Sequence, residues 1–115
     1  MSIRTYNQDQ AQRLIPLFQS IATEIGERRG ALHLLEVRQL DSEPDSDHAI
    51  QIQAERANHR KEVRLALREI TRLGCSVARE YPLRVLIPGP HGEADGFSWS
   101  LGQTEIEPCA AESAA

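Results

Sequence analysis

The chain has 115 residues, a formal net charge of −4 and 40% hydrophobic residues, with aromatics at only 4%, so one domain with one modest core is expected and a second is excluded. No apolar run approaches the length that crosses a bilayer, and the opening Met1-Ser2-Ile3-Arg4-Thr5-Tyr6 lacks the basic flank and apolar stretch of a signal peptide, so a cytoplasmic protein is expected. Cys75 and Cys109 are too few for a disulfide scaffold and read as free thiols.

The first predicted helix starts near Gln8. Asn7 can accept from the N–H groups of the first turn while Gln10 reaches back, a capping box with Asn as the cap. From there Leu14, Phe18, Ile21, Ile25, Arg28, Leu32 and Leu35 recur in steps of four and three, and Ala11, Ile15, Leu17 and Ala22 widen the stripe. Pro16 should kink this helix or leave its first turns loosely attached. Gly26 and Gly30 weaken it by about 1 kcal/mol each relative to Ala, and over Leu32–Leu40 helix and loop both stay open.

The polar run Asp41-Ser42-Glu43-Pro44-Asp45-Ser46-Asp47 reads as a loop rich in capping residues. A second helix is predicted from about His48 to Leu73, ending at Gly74. Its stripe is Ile52, Arg56, His59, Val63, Ala66, Ile70 and Leu73, and the average step of about 3.5 residues marks two helices packed at a shallow angle. Folding the chain about Glu43 and Pro44 gives an antiparallel hairpin that sets Leu14 near Leu73, Phe18 near Ile70, Ile21 near Ala66, Ile25 near Val63 and Arg28 near His59.

After Gly74, short strands are predicted at Cys75–Ala78, over Leu83, Val85 and Ile87 up to Pro88, and from Gly96 to Gly102, where Phe97, Trp99 and Leu101 alternate with small polar residues. Glu105-Ile106 reads as a last strand closed by Pro108. Trp99 is the only tryptophan, and covering it removes roughly 150–250 Å² from water. The expected fold is α+β: a long antiparallel helical hairpin capped at one end by a small antiparallel sheet, a single domain over 1–109, with 110–115 a disordered tail.

Tyr6-Asn7-Gln8-Asp9-Gln10-Ala11, Leu14-Ile15-Pro16, Val85-Leu86-Ile87-Pro88, Gly92 and Ser98-Trp99-Ser100-Leu101-Gly102-Gln103-Thr104-Glu105-Ile106 follow one another in an order seen elsewhere. In this the chain resembles the bacterial domain of unknown function 2203 family, as a divergent member. That family opens with a capped aromatic-Thr-x-x-Glu-Ala-x-x-Leu-Leu-Pro segment and closes with Leu-Val-Asp-Phe-Pro and Cys-Trp-x-Leu-Gly-Glu-x-Ile strands ending in Trp-His. This chain has Leu86 in place of the strand Asp, Ser98 in place of the Cys, and Cys109-Ala110 in place of Trp-His. The resemblance therefore implies a fold. A site dependent on that Asp and His would be missing, and the family supplies no activity.

The sharpest anomaly in the stripes is a polar layer of Arg28, Arg56 and His59. Unpaired, it would cost several kcal/mol in a dry interior. Glu24 lies one turn from Arg28 and Glu55 one turn from His59, close enough to pair along their own helices. The layer reads first as a device that fixes helix register. Its functional reading is a small-ligand or anion site built from Arg28, Arg56, His59, Glu24 and Glu55.

The second helix also segregates charge, with Glu55, Glu62 and Glu69 along one flank and Arg60, Lys61, Arg64, Arg68 and Arg72 opposite. A basic stripe suggests nucleic-acid binding, but no aromatic residues are interleaved for base stacking. Ile50, Ala54, Ala57 and Leu65 share the basic side and would be exposed in a monomer, which points to self-association as a homodimer. His33, His48 and His91 stand without matching ligands, so no metal is expected. Cys75 follows a helix C-terminus, where the dipole raises a thiol pKa, and no Gly-x-Ser-x-Gly elbow surrounds the serines beside Trp99. No catalytic residues and no cofactor are therefore assigned. The expected function is a non-catalytic, self-associating interaction module, with the anion binder as alternative and weak nucleic-acid binding third.

Overall fold

A computed structural model describes residues 4–109; the tail expected at 110–115 lies outside the described residues. Helix α1 (Gln8–Gln12) opens on the expected capping box: Asn7 Oδ1 accepts from the Gln10 N–H at 2.8 Å, and Gln10 Oε1 from the Asn7 N–H at 2.9 Å. The bend expected at Pro16 is a break two to three residues earlier, at Arg13-Leu14. A separate helix α2 (Ile15–Leu40) then begins with Pro16 in its first turn, where a missing N–H leaves no hydrogen bond unmade. The first turns are not loosely held. Ala11 is fully buried, and the Tyr6 hydroxyl donates to the Leu73 carbonyl at 2.7 Å. The Gln12 side-chain amide donates to Thr104 O and accepts from the Ile106 N–H, at 3.0 and 3.1 Å.

Helix α2 continues unbroken to Leu40, which resolves Leu32–Leu40 as helix. After a turn, Ser46 caps α3 (Asp47–Arg72) by accepting from the Ala49 N–H at 3.1 Å. At the far end Gly74 takes a φ of +82°, the Gly74 N–H bonds Thr71 O at 3.0 Å and the Cys75 N–H bonds Ile70 O at 3.3 Å. This is a Schellman motif, in which the left-handed residue must lack a Cβ to avoid strain. It directs the chain into the sheet.

The sheet runs β1 (Ser76–Arg79), β2 (Arg84–Ile87), β3 (Phe97–Ser100) and β4 (Glu107–Pro108), in that spatial order and antiparallel throughout. Register pairs Val85 with Trp99 and Ile87 with Phe97, so four large apolar side chains share one face. All four strands differ from expectation at one end or both, the second starting at Arg84 and leaving Leu83 before it. The third strand ends at Ser100, leaving Leu101 in the following turn and 47% exposed. Leu101 takes part only through its N–H, which donates to Leu83 O at 2.9 Å. The first strand begins one residue later than expected, and the last is Glu107–Pro108 instead of Glu105-Ile106, with Ile106 turned into the core.

The buried apolar residues fall into two groups. The main core joins Ala11, Ile15, Phe18, Ile21 and Ile25 of the helices' sheet-proximal end to Val63, Ala66 and Ile70, and to Leu83, Val85, Ile87, Phe97, Trp99 and Ile106. Trp99 is fully buried, its ring centroid 5.8 Å from that of Phe18, and its indole N–H donates to Gln103 O at 3.0 Å. Leu35, Ala49 and Ile52 are also buried but stand outside this cluster, in the distal half of the hairpin beyond the sheet.

Candidate functional site along the helical hairpin

The polar positions of the stripes lie between these two groups. Arg28 meets His59 as the fold about Glu43 and Pro44 required, with Arg28 Nη1 3.1 Å from His59 Nδ1. A guanidinium can only donate, so His59 Nδ1 is the acceptor in this hydrogen bond. Glu24 completes the group, 3.7 Å from Arg28 Nη2.

Arg56 does not join them, and this corrects the expectation of a single three-residue layer. Its Nη1 donates to Gln39 Oε1 and its Nη2 lies 3.7 Å from Glu36 Oε1, both partners on the distal stretch of α2. The cause is helix geometry. Side chains lean toward their own helix N-terminus, and in an antiparallel pair those directions are opposite. Arg28 leans toward the sheet and Arg56 toward the hairpin turn, so the two diverge. Glu55 is also corrected: it is exposed and forms no ion pair with His59 among the described residues. Glu36 and Gln39 were missed, although Gln39 continues the spacing from Leu32 and Leu35 by one step of four.

With these partners, two small polar clusters divide the hairpin, each arginine making one side-chain hydrogen bond and one ion pair. The Arg56 Nε is buried without a hydrogen-bond partner, but both terminal nitrogens of that guanidinium are engaged. Arg28 and Arg56 are thus held by groups of the chain itself, which weighs against an anion pocket at this level.

No protein-family model, curated protein or solved structure matches the chain. Among the described residues no three His, Cys, Asp or Glu side chains converge to hold a metal, and no helix is long and apolar enough to cross a membrane. Cys75 is buried and Cys109 half-buried, both as free thiols. Burial pushes the Cys75 thiol from 9.0 up to about 11, against a smaller opposing pull from Arg4, so a nucleophilic thiolate is disfavoured there. In the turn after β2, the exposed Glu93 carboxylate accepts from the His91 N–H at 2.8 Å. Backbone hydrogen bonds, first from its own N–H and then from His91, hold it below the usual carboxylate range.

On the outside of α3, Ile50 and Leu65 are 59% and 40% exposed, and Ala54 and Ala57 are exposed with them. Helix α2 adds Leu34, Val37 and Leu40, which were not singled out from the sequence and are 60%, 46% and 86% exposed. Arg60, Lys61, Arg64, Arg68 and Arg72 are all exposed. Among the described residues, Arg72 alone of these five forms an ion pair, with Glu69 at 3.4 Å.

Proposed function

We propose that the chain is a non-catalytic, self-associating interaction module of the cytoplasm, paired through the distal half of its hairpin. The observation that carries this reading is the exposure of Leu34, Leu40 and Ile50, each more than half open to solvent, in the region the sheet does not cover. Two helices alone can bury only one stripe each. Outward apolar residues are covered when two further helices pack on them, and a second copy supplies such a pair as a four-helix bundle.

The charge pattern of α3 favours a second copy in a particular alignment. With two α3 helices side by side and parallel about a two-fold axis, Glu55, Glu62 and Glu69 on one edge of the contact face Arg60 and Arg64 on the partner's other edge, while Lys61, Arg68 and Arg72 share the contact side itself. Antiparallel pairing sets like charge against like. Ile50, Ala54 and Ala57 form the contact, and Leu65 extends it toward the sheet.

The reading of the chain as a divergent relative of the domain of unknown function 2203 family is likewise a proposal. The motif residues it keeps, Trp99 and Ile106 among them, are buried packing positions.

Native mass spectrometry tests the association. A dimer is expected for the parent chain, and Ile50→Glu and Leu65→Glu are expected to give monomers with unchanged helical circular dichroism. A monomeric parent chain, or dimers that survive both substitutions, would overturn the proposal.

A further inference from the structure

Beside the two polar clusters, one flank of the hairpin carries a groove of about 300 Å³ between α2, α3 and the turn after β1, lined by Arg29, Leu32, Arg60, Val63, Arg64, Leu67 and Glu80. Its polar walls are unlike those of the clusters. Arg29, Arg60 and Arg64 form no ion pair and no side-chain hydrogen bond with any described residue, whereas Arg28 and Arg56 do both. Arg29 is positioned over the Tyr81 ring, its guanidinium carbon 4.4 Å from the ring centroid, a stacking that fixes the side chain without satisfying its N–H donors. Arg60 and Arg64 stand one turn apart on α3, so both project to the same side. Glu80 is the single carboxylate among the lining residues, against three guanidiniums, on a chain whose net charge is −4.

We propose that this groove binds a small organic anion with an apolar body. The anionic head, a phosphate or carboxylate, takes paired N–H donors from Arg60 and Arg64 with Arg29 opposite. The body lies on Leu32, Val63 and Leu67. The volume is at the lower end of small-molecule sites, and the mixture of an apolar floor with convergent cations selects against free inorganic phosphate, which has nothing to lay on the floor. Glu80 limits affinity by repelling the head. The site is separate from the Arg28–His59 pair and does not require self-association.

The test is calorimetric titration of the full chain at low salt with 1-naphthyl phosphate, 1-naphthoate, neutral 1-naphthalenemethanol and inorganic phosphate. One or both naphthyl anions are expected to bind saturably and better than the alcohol or inorganic phosphate, and salt is expected to weaken them. Arg64→Gln and Arg29→Gln are each expected to weaken binding by about tenfold, Glu80→Gln to strengthen it, and Arg28→Gln to leave it unchanged. The gain in Glu80→Gln keeps the test valid if an arginine variant folds poorly. Absence of saturable binding, equal binding of the neutral alcohol, or retention in the Arg60→Gln, Arg64→Gln double variant would overturn the proposal. Displacement of the naphthyl anion by short single-stranded DNA at lower concentration would do so too, in favour of the basic flank as a nucleic-acid surface.

Discussion

Arg28 and Arg56 start from equivalent positions in two apolar stripes and end in different company, one with His59 and Glu24, the other with Gln39 and Glu36. Neither cluster is dry, since the two arginine side chains keep 28% and 21% of their exposure, and partly solvated pairs of this kind contribute little net stability. Replacing Arg28 and His59 together with leucine should therefore preserve or raise the melting temperature, because it removes two polar groups at once and joins the two apolar regions. A clear fall in the thermal midpoint of the double variant would count against the register role.

Cys75 gives a residue-scale expectation of another kind. Its thiol loses a proton at about 11 in the folded chain against 9.0 without burial. Between those values the unfolded state holds fewer protons, so stability falls as pH rises, by about 2–3 kcal/mol over the interval. Urea denaturation at pH 8 and pH 11 should show that loss in the parent and a smaller one in Cys75→Ala. At pH 8 a disulfide reagent should titrate Cys109 promptly and Cys75 only on unfolding.

Among the elements, those specified by local chemistry were legible from the sequence. Asn7 and Gln10 announced the start of α1, Ser46 lies in the run read as a capping loop, and Gly74 marked the end of α3 by a φ that a side chain would strain. The apolar stripes of α2 and α3 join one core cluster, and Arg28 meets His59 as their spacing required. What stayed hidden depends on direction and distance along the chain. The divergence of Arg28 and Arg56 follows from the lean of side chains on antiparallel helices, which residue spacing does not encode. The early end of β3 is set by the turn that follows it. There Gln103 closes a turn on Ser100, its side chain accepting from the Ser100 N–H and its N–H donating to the Ser100 carbonyl, and Leu101 stays 47% exposed while its N–H keeps its bond to Leu83. The groove of Arg29, Arg60 and Arg64 needs Glu80 and Tyr81 beside the helices, and only the fold brings them there.

The link between β2 and β3 is an element with little tolerance. Gly96 packs on Gly89 so closely that a Cβ on Gly96 would lie 2.3 Å from the Gly89 Cα. Backbone must move to admit it, so Gly96→Ala should lower stability by about 1–3 kcal/mol, read as a shift of the denaturation midpoint with an unchanged slope.

The whole molecule is elongated. Its radius of gyration is 18.0 Å and its extents are 58 × 31 × 24 Å, where a compact chain of this length has a radius of gyration of about 13 Å. The sheet thickens one end, and at the other three buried apolar residues, Leu35, Ala49 and Ile52, hold two helices together. Local stability should follow this division. Hydrogen exchange of the amides between Leu32 and Arg56 should be faster than that of Phe18–Ile25 and Val63–Ile70, and should slow with rising protein concentration if copies pair through that half.

The two polar clusters have a further consequence for how such a chain can change length. They separate the distal arm from the part of the hairpin whose facing is fixed by the Schellman turn and the sheet. A single residue inserted into α3 between the clusters and Gly74 turns the exit of the chain by about 100° and carries the sheet off its core. Matched insertions of whole heptads on both helices next to the hairpin turn keep the facing relations to within about 20° per heptad. The reach of the arm is thus a free variable of this architecture, adjustable in heptad steps while the Trp99 end stays as it is.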